Sequence, residues 1–195
     1  MNPEPATRNP LPRRLIVALT GATGAVYAVR TLETLRDAGV ETHLVVSKWG
    51  AATLAHETDV TLDQLNGLAT VVHPIGDLTA PIASGSFGTD GMLVVPCSMR
   101  TLGAIANGVG DNLIHRAADV VIKEQRRLVL AVVETPVSAI HLENMLKLSR
   151  LGVQIVPPVP AFYTRPAELS DVVEYSVARM LDQVGIRVDA KRWGS

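Results

Sequence analysis

The sequence predicts a three-layer α/β domain, a parallel sheet with helices packed on both faces. Three observations carry this. Short apolar runs such as "RLIVAL", "THLVV", "MLVV" and "RLVLAVV" alternate with longer stretches of helical spacing. The runs are apolar throughout rather than every second residue, as strands covered on both faces require. Ala and Val are abundant while aromatic residues make up only 4%, which suits small-residue helices lying close on a sheet better than a β-sandwich.

The elements follow in order. Residues 14–21, "RLIVALTG", read as a strand ending in glycine, and 24–39 as a helix with a terminal glycine. Residues 40–47 are a second strand and 48–59 a helix opening just after Ser47. The stretch 60–91 is broken by turn signals at Asn66-Gly67, Gly76-Asp77 and Asp90-Gly91. It should hold a short helix, an edge strand and a long functional loop. A buried strand over 92–98 precedes helices over 99–108 and 112–126. Residues 127–134 form a strand ending on Glu134, and 138–152 a helix. Residues 153–159 are a short strand, and 169–185 the last helix, capped by Ser170. Strands joined through helices make the sheet parallel, a Rossmann-like (flavodoxin-like) single domain.

A chain of 195 residues suits one domain, which hides roughly 70% of its unfolded surface. Residues 1–13, with four prolines in "MNPEPATRNPLPRR", read as a disordered arm, and 14–195 as the domain. A net charge of −1 and a pI near 6.5 leave no basic footprint for nucleic acid or an anionic membrane. No run approaches the ~20 apolar residues of a membrane span. The one cysteine, Cys97, cannot pair internally, so a cytoplasmic setting is expected. A mean hydropathy of +0.23 points to apolar surface buried between subunits.

Parallel sheets bind ligands beyond the carboxyl ends of their strands. Those ends carry Thr20 to Gly24, Ser47-Lys48, Cys97-Ser98 and Glu134-Thr135. Hydroxyls beside helix starts, where unpaired N–H groups and the dipole favour an anion, suggest a phosphate-bearing ligand. "TGATG" is neither a dinucleotide fingerprint nor a Walker sequence and is weak alone. Cys97 reads as a small buried hydrophobe rather than a nucleophile, and the histidines have no metal-ligand spacing, so no metal is expected. Glu57 reads by default as exposed helix surface. Arg116 and Lys123, seven apart, share a helix face able to grip a phosphate. Glu134 is the unusual residue: an apolar run ends abruptly on a carboxylate.

Taken in order, "TGATG", "SKWGAATLAHETD", "APIASGSF", "MLVVPCSMRTLGAIANG", "DNLIHRAADVVIKEQRRLVL", "ETPVSAIHLENMLKLSRLG" and "PAFYTRP" resemble the flavin prenyltransferases, the UbiX family of flavoproteins, from about Arg14 to the closing "RWG". The related cysteine-decarboxylase flavoproteins share the fold but carry Pro-Ala-Ser-Ala-Asn where this chain has Pro81 to Gly85. The resemblance implies a homododecamer, with FMN at subunit interfaces and no metal. It implies transfer of a dimethylallyl group from dimethylallyl monophosphate to N5 and C6 of reduced FMN. The prenylated FMN would serve a UbiD-type decarboxylase. By position, Gly21, Ala22, Thr23 and Ser47 match FMN-binding loops, and Ser98, Met99, Arg100 and Thr101 the segment along the flavin. Arg116, Lys123, Tyr163 and Arg179 match the clamp on the allyl phosphate, partly from neighbouring subunits. Glu57 and Glu134 match the active-site carboxylates, with Glu134 relaying the proton released on alkylation and raised in pKa by partial burial. Thr23 stands where the family usually has serine. Val133 stands where it usually has arginine, a flavin and phosphate ligand. That change keeps open an alternative: an FMN protein of the same fold with altered transfer, whether redox, decarboxylase-associated or an FMN carrier.

Overall fold

The computed structural model describes residues 13–190 and Gly194; the proposed arm, apart from Arg13, lies outside them. Six strands form one parallel sheet in the order β3-β2-β1-β4-β5-β6. They are β1 (Arg14–Leu19), β2 (Glu41–Val46), β3 (Val71–His73), β4 (Gly91–Cys97), β5 (Arg127–Val132) and β6 (Gln154–Ile155). The helices are α1 (Ala25–Asp37), α2 (Lys48–Glu57), α3 (Leu62–Asn66), α4 (Met99–Ala106), α5 (Leu113–Lys123), α6 (Ala139–Arg150) and α7 (Leu169–Gln183). Single 3-10 turns occupy Pro81–Ala83 and Phe162–Thr164. The chain runs outward from β1 to β3 and then crosses back to β4. The order therefore reverses between β1 and β4, and loops leaving those strands splay apart to open a crevice.

Strand alternation explains the two buried layers. Leu15, Val17 and Leu19 point to one face, where Leu32, Leu35, Val177, Met180 and Leu181 of α1 and α7 cover them. Ile16 and Ala18 point to the other, under Leu102, Ile114, Ala117 and Val121 of α4 and α5. Both faces are dry, which is why the runs read as apolar at every position. Gly91, at φ 155°, starts β4 where a side chain would run into the Arg127 carbonyl of β5. This is the physical need behind the Asp90-Gly91 turn signal.

The edge strand is pinned by polar groups. Arg14 pairs with both oxygens of Glu41 at 2.7 and 2.9 Å. Glu41 also meets His43 Nε2 at 2.9 Å, and His43 Nδ1 lies 2.8 Å from Nε2 of His73 on β3. On α6, Leu142 and Leu146, four apart and so on one face, are more than half exposed, as is Ile140.

Two boundaries differ from the sequence reading. Strand β5 stops at Val132, because β4 slips register between Val94 and Cys97. Glu134 thus sits two residues beyond the strand, exposed on a turn, and the expected partial burial is absent in the protomer. Ser170 does not cap α7; Glu168 is the cap residue. The Asp171 carboxylate reaches back to accept the N–H of Ala167 at 2.7 Å and of Glu168 at 3.3 Å. That satisfies the free donors earlier than Ser170 could.

Candidate active site

The site begins with Thr20, buried just past β1. Its hydroxyl donates to the Pro96 carbonyl at 2.8 Å and accepts the Ser98 N–H at 2.9 Å. The exit of β1 is thereby locked to the exit of β4. Loops 20–24 and 97–101 leave side by side, and between them opens a cavity of about 480 Å³, within the range of cofactor sites. Gly21, Ala22 and Thr23 form one wall and Ser98 and Met99 the next. Val132 at the end of β5 and Val133 to Thr135 after it continue the lining, and Pro157 and Pro158 follow β6 to close the far side.

Each loop is shaped by its own helix start. Ser47 caps α2, its Oγ accepting the Gly50 N–H at 2.9 Å, and its own N–H donates to the Leu19 carbonyl at 2.9 Å. This seats Trp49 against Gly21 so closely that a Cβ at Gly21 would overlap the Trp49 side chain. Gly21 is therefore glycine because α2 leaves no room. Ser98 caps α4 by accepting the Thr101 N–H at 3.3 Å, and its hydroxyl meets that of Thr101 at 3.1 Å. Arg100 is exposed on the same first turn.

The two carboxylates differ sharply. Glu57, the last residue of α2, folds over the start of α1, and its Oε2 accepts the N–H of Gly24 and of Ala25 at 2.8 Å each. Burial pushes its pKa up, but hydrogen bonds from Thr23, Ala25 and Gly24 outweigh this and hold it below the usual carboxylate range. The anion position predicted at this helix start is filled by the chain's own Glu57. Glu134, by contrast, lies open at the cavity wall, with Oε1 accepting the Thr135 N–H at 3.1 Å.

The expected phosphate clamp does not assemble within one protomer. Arg116 donates through Nε to the Ala83 carbonyl at 3.1 Å and pairs with Asp119 at 2.8 Å. Lys123 pairs with Glu124 at 3.1 Å. Neither lines the cavity. Arg179 lines a smaller cavity that shares Pro157 and Pro158 with the large one, and Tyr163 sits on the 3-10 turn that precedes α7. Val133 is half-buried in the cavity wall, its N–H directed at the Cys97 carbonyl at 3.4 Å. An apolar side chain thus lines the wall where the resemblance leads to the expectation of a guanidinium. Cys97 itself is buried, and burial pushes its thiol up to about 12, as an inert packing residue requires.

Sequence reasoning missed Pro157 and Pro158 as wall residues, although "PP" after a short strand marks a chain leaving a sheet edge. It noted Thr20 at a strand end without its locking role. A lone threonine carries no signal of a partner 76 residues away. Among the described residues no cluster of His, Cys, Asp and Glu could hold a metal ion, and no helix is long and apolar enough to cross a membrane.

The fold, with its switch-point cavity, two serine-capped helix starts and tight glycine loop, defines an α/β protein of the cofactor-binding kind. The chain belongs to the Flavoprotein family, which it matches over residues 4–181, and within it to the UbiX-type flavin prenyltransferases. It is 56% identical to the mitochondrial flavin prenyltransferase PAD1 of Saccharomyces cerevisiae, over 96% of this chain and 78% of that protein. Among solved structures it superposes with a TM-score of 0.93 on AnUbiX (PadA1) in complex with FMN and dimethylallyl pyrophosphate. That match has 52% identity and covers 94% of this chain and 98% of the other. A dodecameric FMN-dependent UbiX-like decarboxylase from Escherichia coli O157:H7 superposes with a TM-score of 0.91 at 53% identity, covering 93% and 100%.

Proposed function

We propose that this chain is a flavin prenyltransferase that joins a dimethylallyl group to reduced FMN, with the strand-end cavity as its active site. The observation that carries the reading is the convergence of Thr23, Ser98 and Glu134 on one cavity of about 480 Å³ at the switch point. The residues present fit a flavin. The Gly21 loop lies flat against Trp49 with no side chain in the way. Gly21, Ala22, Thr23, Ser98 and Met99 line the space where ring and ribityl chain would lie, with Val133 as an apolar wall; Ser47, Arg100 and Thr101 are outside that lining and belong to the proposed binding set through the helix starts they shape.

When bound, reduced FMN supplies the nucleophilic N5 and C6 positions that take up the C5 group. The chain's own residues do the rest. Arg116, Lys123, Tyr163 and Arg179 hold the departing phosphate through charge-assisted bonds, each about 1.5–3 kcal/mol. In a single protomer Arg116 and Lys123 are remote from the cavity, so the clamp is completed by neighbouring subunits in a homo-oligomer, a dodecamer in the proposed form. The exposed apolar face of α6 supports such assembly. Glu134, open at the wall, accepts the proton released on alkylation. Glu57 stays ionised and fixes Thr23 and the start of α1, so that its part is to hold the cradle rather than to carry a proton.

Dimethylallyl monophosphate is the proposed donor, and a UbiD-type decarboxylase the recipient of the prenylated FMN. Residues 14–195 act as one flavoprotein domain behind the amino-terminal arm. A cytoplasmic setting accords with the single buried cysteine. Anaerobic incubation with reduced FMN and dimethylallyl monophosphate, followed by mass spectrometry of the released flavin, tests this. A gain of one C5 unit is expected. Bound but unmodified FMN, with an active relative alongside, would overturn it and favour the FMN-binding alternative that Val133 suggests.

A further inference from the structure

We propose that Tyr175 is a positioning residue for the allyl-phosphate clamp: its hydroxyl holds the hydroxyl of Tyr163 in the orientation from which Tyr163 meets the phosphate. This rests on the reading above that Tyr163 and Arg179 contact the phosphate. Tyr163 is carried by the segment between β6 and α7, which contains Pro157, Pro158, Pro160 and Pro166. Prolines remove N–H donors, so such a segment is poorly held by backbone bonds. Its 3-10 turn closes on itself, the Thr164 hydroxyl donating to the Ala161 carbonyl at 2.7 Å and the Arg165 N–H to the Phe162 carbonyl at 3.0 Å. Those bonds shape the turn itself, and the Ala167 N–H further along the segment donates to the Asp171 carboxylate of α7 at 2.7 Å. The Tyr163 ring is about half exposed, so a contact at its hydroxyl bears on its orientation.

Tyr175 supplies an orienting contact. It stands on α7, a rigid element packed on the core, and its hydroxyl lies 2.7 Å from that of Tyr163. The two rings cross at 89° with centroids 6.0 Å apart, an edge-to-face arrangement that defines the approach angle. One helical turn further on is Arg179, which with Tyr175 lines the small cavity beside Pro157 and Pro158. Tyr175 therefore bonds to one proposed clamp residue of this protomer and shares a cavity lining with the other. Either hydroxyl of the pair can donate; in the proposed arrangement Tyr175 donates and the Tyr163 oxygen accepts. A tyrosine oxygen that accepts a hydrogen bond is polarised toward donating its own proton more strongly, and a phosphate oxygen is the acceptor that benefits.

The test compares Tyr175→Phe, Tyr163→Phe and the double variant in full-length protein loaded with FMN, measuring KM for dimethylallyl monophosphate, kcat and FMN affinity. Phenylalanine keeps the crossed rings and removes only the hydroxyl. Tyr175→Phe should raise KM about five- to tenfold with kcat and FMN affinity unchanged, the size of one lost hydrogen bond. Tyr163→Phe should raise KM at least as much, and the double variant should be no worse than Tyr163→Phe alone, because Tyr175 acts only through Tyr163. A wild-type KM in Tyr175→Phe beside a raised KM in Tyr163→Phe overturns the proposal. So do additive effects in the double variant, or a joint fall of kcat, FMN affinity and thermal midpoint, which marks a structural role. An unchanged KM in Tyr163→Phe itself removes the underlying assignment of Tyr163, and the proposal with it, while leaving prenyl transfer intact.

Discussion

The cradle at the strand ends and the proposed clamp for the allyl phosphate are built on opposite plans. The cradle is complete within one chain: Thr20 ties β1 to β4, Ser47 and Ser98 cap their helices, and Glu57 closes α1. Its groups are fixed by backbone hydrogen bonds. The clamp is dispersed, with Arg116 and Lys123 engaged by Asp119 and Glu124 away from the cavity, and Tyr163 on a proline-rich segment. The cofactor half of such a site can be preorganised by the fold of a single protomer, whereas in the proposed function the half that grips a reacting substrate is put together by assembly.

The largest effect expected concerns the reacting wall. Glu134→Gln should lower kcat about 10²- to 10⁴-fold while FMN affinity stays unchanged; a parallel loss of FMN would erase the division between cradle and chemistry. Sharper still, Glu134→Gln subunits mixed with Arg116→Ala subunits and reassembled should recover activity that neither has alone. No recovery would place both residues' work within one protomer. Next in size, Gly21→Val should weaken FMN binding about ten- to hundredfold, since the new side chain collides with Trp49 and displaces the loop. Spectral titration with FMN measures it, and the oligomeric state should persist.

Thr20→Val should cost about 1–3 kcal/mol in denaturant unfolding, by leaving the Ser98 N–H and the Pro96 carbonyl without the hydroxyl that serves both. The smallest effect is the pH response of Glu57. Its folded pKa lies below the unfolded value of about 4.3, so its contribution is fully present above that value and is lost as pH falls through the folded one. Urea midpoints followed from pH 7 to pH 3 should therefore fall less steeply for Glu57→Gln than for the parent chain.

How much of this was legible beforehand varies by residue. The Gly21 to Thr23 loop and Ser98 were readable because glycine and hydroxyl residues at a strand-to-helix junction have local causes: turn geometry and helix capping. Glu134 was readable as a carboxylate closing an apolar run, though not its position two residues past β5, since the register slip in β4 depends on the neighbouring strand. Glu57 read as solvated surface because its partners, Gly24 and Ala25, lie more than 30 positions away. The cap of α7 was misread because Ser170 is locally plausible and Asp171 reaches further.

By itself the sequence determined the alternation of strand and helix, the apolar faces and the hydroxyl-bearing helix starts at Ser47 and Ser98, all set by interactions within a few residues. The tertiary structure decided which strand ends meet, which carboxylate is tied down and which is open, and that Arg116 and Lys123 stand outside the cavity lining. Those depend on contacts between residues far apart in the chain, whose energies no local pattern encodes.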